Sequence, residues 1–103
     1  MNTNMTKEEV IQFAYKHGCT VTFAYNIDLY WKLCKENNIN PIIAISQYAK
    51  GTNWGRFGYL LNASYKNPCG LKSKENPYEE IKFSSWEDGI KANIEKLIKE
   101  NDK

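Results

Sequence analysis

No stretch of this chain approaches the ~20 consecutive apolar residues that span a membrane. Its first residues, Met1-Asn-Thr-Asn-Met-Thr-Lys7, lack the basic-then-apolar pattern of a secretory signal. There are three cysteines, Cys19, Cys34 and Cys69, and one histidine, His17. The odd number excludes a full disulfide framework, and the spacing fits no metal site. The thiols are expected as small buried fillers, with a single Cys19–Cys34 bridge left open. A net charge of +2 gives no basic stripe for nucleic acid. Three prolines and six glycines are too few for a low-complexity or collagen-like chain. No metal, cofactor, nucleic-acid partner or membrane span is therefore expected.

What is present is ordinary for a soluble globular fold: 42% apolar and 25% charged residues, with 14% aromatics. A chain of 103 residues makes one core and is too short for two, so residues 1–103 read as one domain. Thr6-Lys-Glu-Glu9 has the capping-box pattern, a hydroxyl followed three residues later by a carboxylate. Val10, Phe13 and Ala14 follow at helical spacing, and Gly18 suits the turn after a helix over about 7–17. Phe23, Ile27, Tyr30, Trp31 and Cys34 repeat every three or four residues and predict a second helix over about 21–37. Asn40 then caps a third helix, with Pro41 at its first position and Ile42, Ile45, Tyr48 and Ala49 on its apolar face. Gly51 lies at its C-terminal end, and a C-cap glycine is one reading of that residue. Residues 52–69 read as a long loop, with a short helical turn near Leu60; a loop of this length usually carries function. Leu71–Ser73 and Glu80–Phe83 are expected to pair as a small β-hairpin through Glu75-Asn-Pro-Tyr78. Ser84-Ser-Trp-Glu87 reads as a second capping box, opening a last helix to about Lys99 with Ile90, Ile94, Leu97 and Ile98 buried. Trp31 and Trp86 are assigned to the core. His17 lies at a helix end, where a cation is favoured.

Three segments carry a further signal. Ala49-Lys-Gly-Thr-Asn-Trp-Gly55 is similar to the active-site segment of the bacterial glucosaminidases that cut peptidoglycan, glycoside hydrolase family 73. Asn62-Ala-Ser-Tyr-Lys-Asn-Pro-Cys-Gly-Leu-Lys72 and Phe83-Ser-Ser-Trp-Glu-Asp-Gly-Ile90 resemble the second and third signatures, in the same order and spacing. Together they span about residues 40–95. The resemblance implies an α+β, mainly helical, lysozyme-like domain: a helical lobe and a small β-hairpin lobe around a cleft. It implies hydrolysis of the β-1,4 bond after N-acetylglucosamine.

The family segment runs Ala-Lys-Glu-Thr-x-Trp-Gly, and its Glu is the general acid. Gly51 stands in that place. Glycosidic cleavage needs a proton for the leaving oxygen, held on a carboxyl of raised pKa. Gly51 can transfer none. Lys50 is cationic and about 100° round the helix, and the Thr52 hydroxyl is far too weak an acid. The expectation is a cleft that binds and does not cut. The second carboxylate would come from Glu75, Glu79 or Glu80, with Glu75 and Glu80 equally placed; each also reads as a solvated hairpin charge. By resemblance Tyr65 stands beside the reacting sugar. Asn67 either grips an N-acetyl group or forms the turn before Pro68. Trp54 and Phe57 form an apolar wall for sugar faces, with packing of the cleft floor the other reading of Trp54. Thr52 joins them as a substrate-binding residue.

The implied partner is the peptidoglycan glycan strand, bound by a monomer at the bacterial cell wall. Without a signal, the chain would be released as phage lysins are, or exported as a fragment of a longer modular lysin or autolysin. Two other readings remain open. One is a non-catalytic glycan-binding module; the other is a lysozyme-fold muramidase or transglycosylase-type enzyme.

Overall fold

A computed structural model of the chain describes residues 4–57 and 63–101. The predicted turn near Leu60 lies outside the described residues. The first helix, α1, runs Lys7–Lys16, and its capping box is reciprocal. Glu9 N–H donates to Thr6 Oγ1 at 3.2 Å, and Thr6 N–H donates to Glu9 Oε1 at 2.9 Å. These bonds hold the Glu9 carboxyl below its usual pKa. Gly18 then turns the chain at φ +78°, and Thr20 caps α2, Val21–Glu36.

Helix α2 is the central element and packs against α1, α3 and α4. That position explains its wide apolar face, with Phe23, Ile27, Tyr30 and Cys34 all fully buried. Asn37 and Asn38 end it, Asn38 at φ +56°. Helix α3 spans Pro41–Thr52, with Asn40 accepting from Ile42 N–H at 3.0 Å and Pro41 at the first turn. Ile42, Ile45, Tyr48 and Ala49 face the core as expected.

Helix α3 does not end on a glycine. It continues through Thr52, and the left-handed residue at its end is Asn53, φ +52°. Asn is among the few side chains that tolerate this region. Gly51 therefore keeps helical backbone, and the C-cap reading of it falls.

Helix α4 covers Trp86–Asn101 and buries Ile90, Ile94 and Leu97, with Ile98 at the edge of the core. Its cap is one residue later than the sequence pattern suggested. Asp88 N–H donates to Ser85 Oγ at 3.1 Å, while Ser84 Oγ donates to the Asp88 carboxylate at 2.8 Å. Glu87 pairs instead with Lys91 at 3.2 Å. Two buried polar contacts cross the bundle: Tyr30 OH donates to Asn93 Oδ1 at 2.6 Å, and Asn26 Nδ2 donates to Tyr48 OH at 3.1 Å.

The described residues are mainly helical, and the β-hairpin lobe is not formed. The expected strands meet at one antiparallel bridge, Lys72 with Glu80, supported by Ser73 N–H to Glu79 O at 2.8 Å and Ile81 N–H to Leu71 O at 3.0 Å. The direction of pairing matches the sequence reading; the ladder does not extend. A side chain and a neighbouring loop take the groups that would extend it. Ile81 O accepts from Asn67 Nδ2, and Phe83 N–H donates to Tyr65 O. With no third strand among the described residues, two short strands gain little by pairing further. All three cysteines are free, so the Cys19–Cys34 bridge is absent.

Candidate functional site

The loop leaving α3 is built from unusual backbone. Asn53, Trp54, Gly55 and Phe57 all have positive φ, from +52° to +83°. Bulky residues in this region carry strain that surrounding contacts must hold. Those contacts are present. Thr52 Oγ1 donates to Tyr48 O at 2.7 Å and accepts from Gly55 N–H at 2.9 Å. Thr20 N–H donates to Trp54 O, and Phe57 N–H donates to Thr52 O. The Arg56 guanidinium bonds His17 O at 2.6 Å, Gly18 O at 2.7 Å and Asn53 Oδ1 at 3.0 Å. It thereby caps α1 and ties the loop to it. A β-carbon on Gly55 would strike Thr20 Oγ1 at 2.5 Å and Phe23 Cβ at 2.7 Å, so the tight approach also needs glycine there.

Thr52 is fully buried with its hydroxyl engaged on both sides. Its place in the structure is to fix this loop, not to meet a ligand.

Gly51 faces the Asn67–Gly70 turn. A β-carbon at 51 would lie 3.1 Å from Cys69 Cα and 3.3 Å from Pro68 O. That is tighter than ordinary van der Waals contact, and both neighbours are backbone. The turn is held by Asn67, only 1% exposed. Its Nδ2 donates to Leu71 O at 3.0 Å and to Ile81 O at 3.1 Å. Its Oδ1 accepts from Leu71 N–H at 2.9 Å and Cys69 N–H at 3.3 Å. Both donors and both acceptor positions of the amide are taken. Of the two readings of Asn67, the structure selects the turn former and leaves no group free for an N-acetyl contact.

The carboxylates separate by position. Glu75 and Glu79 are exposed. Glu80 is drawn in: its side chain is 13% exposed, pairs with Lys72 at 3.5 Å, and lies 3.6 Å from where a β-carbon on Gly70 would sit. It is the carboxylate against the Asn67–Gly70 turn. Tyr65 ends the 3-10 turn Ala63–Tyr65. It is partly exposed, with the Lys82 ammonium 5.0 Å from its ring centroid.

Trp54 and Phe57 do not share a wall. The Trp54 indole stacks on His17 at 4.8 Å with 5° between planes, and packs edgewise toward Phe13 and Phe23. It lines a hollow of about 390 Å³ with Phe13, Ser46 and Lys50. Phe57 turns the other way, 6.2 Å from the Trp86 ring. With Thr20, Thr22, Tyr48 and Trp86 it lines a separate hollow of about 200 Å³. Trp86 is the residue that sequence reasoning missed. Periodicity assigns it to the core, and it does pack there, 5.8 Å from the buried Tyr48 ring, but as the first residue of α4 it stays partly exposed and also meets Phe57. Its position beside the cap serines was the available signal. Among the described residues no cluster of His, Cys, Asp or Glu suits a metal ion, and no helix is long and apolar enough to cross a membrane.

A family model described as glucosaminidase, mannosyl-glycoprotein endo-beta-N-acetylglucosaminidase, matches residues 27–103, which include α3, its loop, the Asn67 turn and α4. The chain belongs to this family. Comparison with curated proteins gives no match. Comparison with solved structures gives none either.

Proposed function

From its membership of the glucosaminidase family, we propose that this chain binds glycan strands of peptidoglycan containing N-acetylglucosamine, and leaves them uncut. The observation that carries the proposal is position 51. The family resemblance puts the proton donor there, and this chain has no side chain at that point. A positioned acid is worth roughly 10²–10⁴ in rate, and no neighbour replaces it. Lys50 is exposed and cationic, and the Thr52 hydroxyl is bonded on both sides.

Losing the acid need not abolish binding, because a catalytic acid acts chiefly on the transition state. The rings of Phe57 and Trp86 and the Tyr65 phenol offer apolar faces and a hydrogen-bonding group suited to a sugar. Glu80, rather than Glu75, is the candidate for the second carboxylate, since it borders the turn that covers Gly51.

Pro68 and Cys69 fit closely over Gly51. A glutamate enters this space only if backbone shifts. Purified Gram-positive walls give the test. The chain is expected to bind sedimented walls and produce no loss of turbidity. Substantial lysis by the chain as it stands would overturn the proposal and require another acid.

A further inference from the structure

The hollow beneath Phe57 has an open side. Thr22 and Trp86, which line it, also line a larger groove of about 710 Å³ along the exposed face of α2. The groove carries the large apolar side chains Val21 and Tyr25, 75% and 76% exposed. They project from α2 one turn apart, on the face turned away from the core. Exposed apolar groups clustered beside a candidate site are a sign of binding. The rim is polar: Asp28, held by Lys7 at 2.8 Å, and Glu87, held by Lys91 at 3.2 Å.

We infer that a glycan strand seated under Phe57 continues across Trp86 into this groove, with Tyr25 stacking on a sugar further along the strand. The inference rests on the proposed glycan binding and adds where the strand runs and which residue sets its preferred length. The occupant follows from continuity, since the two hollows share Thr22 and Trp86. It follows also from chemistry. A pyranose has apolar ring faces and a polar rim, and the groove offers an aromatic face bordered by carboxylates that accept from hydroxyls and acetamide N–H groups. Its volume lies in the usual range for small-ligand sites.

The test uses N-acetylglucosamine oligomers of two to six sugars, titrated against the whole chain and followed by Trp fluorescence. Affinity is expected to rise with length. Tyr25→Ala should remove roughly two- to tenfold of the hexamer affinity, the worth of one aromatic contact, and leave the dimer unchanged. Phe57→Ala should weaken every length. Tyr25 is exposed, so its variant should melt with the parent protein. A hexamer bound no better than a dimer, or a Tyr25→Ala variant with the parent's length dependence, would overturn the groove and leave the proposed function standing. Failure of every oligomer to bind the folded chain would overturn both.

Discussion

The helical frame and the Asn67–Phe83 segment are held together by different means. In the frame, apolar side chains at helical spacing fill one core, and the polar groups that matter sit at caps. In the segment, almost nothing regular forms, and one buried amide organises the chain. Asn67 bonds four backbone groups on three residues, Cys69, Leu71 and Ile81. Stability in the frame is spread over many contacts, each replaceable at moderate cost. In the segment it is concentrated. The candidate site lies where the two meet, with Gly51 on the frame and Pro68 and Cys69 pressed against it.

The sharpest way to break this contrast is to remove the amide. Asn67→Ala leaves buried N–H and C=O groups without partners, each costing about 1–3 kcal/mol. A total loss of about 3 kcal/mol or more is expected, with loss of glycan binding as the turn opens. Ile45→Val, in the middle of the frame, should cost only ~0.5–1.5 kcal/mol. Urea melts of both variants check the ranking. If Asn67→Ala were the milder change, the turn would not depend on its amide.

The next effect concerns the contact between the two regions. Gly51→Glu overpacks the face covered by Pro68 and Cys69, and overpacking costs about 1–3 kcal/mol. The same change restores a carboxyl where the family carries its acid. Measurable wall lysis is expected from this variant and none from the parent. The gain should fall short of the ~10²–10⁴ of a well-placed acid, because the carboxyl arrives with a displaced turn. A stable variant with no lysis would mark the chain as a binding module whose chemistry needs more than one residue. Gly51→Ala isolates the contact from the chemistry. Helix propensity favours Ala by about 1 kcal/mol, and the 3.1 Å approach to Cys69 Cα opposes it. Because Asn67 keeps the turn from yielding, we expect a net loss of about 1 kcal/mol. A higher melting temperature for Gly51→Ala would show that the turn yields easily.

The same division explains what was legible in the sequence. The helices could be read because period and caps repeat over many residues: Phe23, Ile27, Tyr30 and Cys34 state α2 four times over. A single-residue slip, such as Ser85 capping α4 in place of Ser84, changes little. The segment has no such redundancy. Leu71–Ser73 and Glu80–Phe83 look like strands, and whether they form them depends on one long-range competitor, Asn67, whose bonds to Leu71 and Ile81 no local pattern announces. The motif around Gly51 was visible because it is local. The separation of Trp54 from Phe57 was not, since it follows from a run of positive φ fixed by Thr52, Thr20 and Arg56.

The smallest effect is a difference in rate, and two thiols report it. Cys34 lies in the frame, fully buried, and Cys69 lies in the turn, partly buried. Burial pushes both thiols up to about 11, so neither is an activated thiolate and exposure decides between them. The folded values lie above the unfolded one, so these groups stabilise the fold fully below about pH 9 and progressively less as pH rises toward 11. Labelling is therefore best run at about pH 8, where the fold keeps this contribution. With a thiol reagent and peptide mass mapping, Cys69 is expected to react first, through local opening of the turn, and Cys34 only when the frame opens. Asn67→Ala should speed Cys69 and leave Cys34 nearly unchanged. Equal rates at the two positions would mean that the turn and the frame open as one unit, and that Asn67 organises the turn without setting its independent stability.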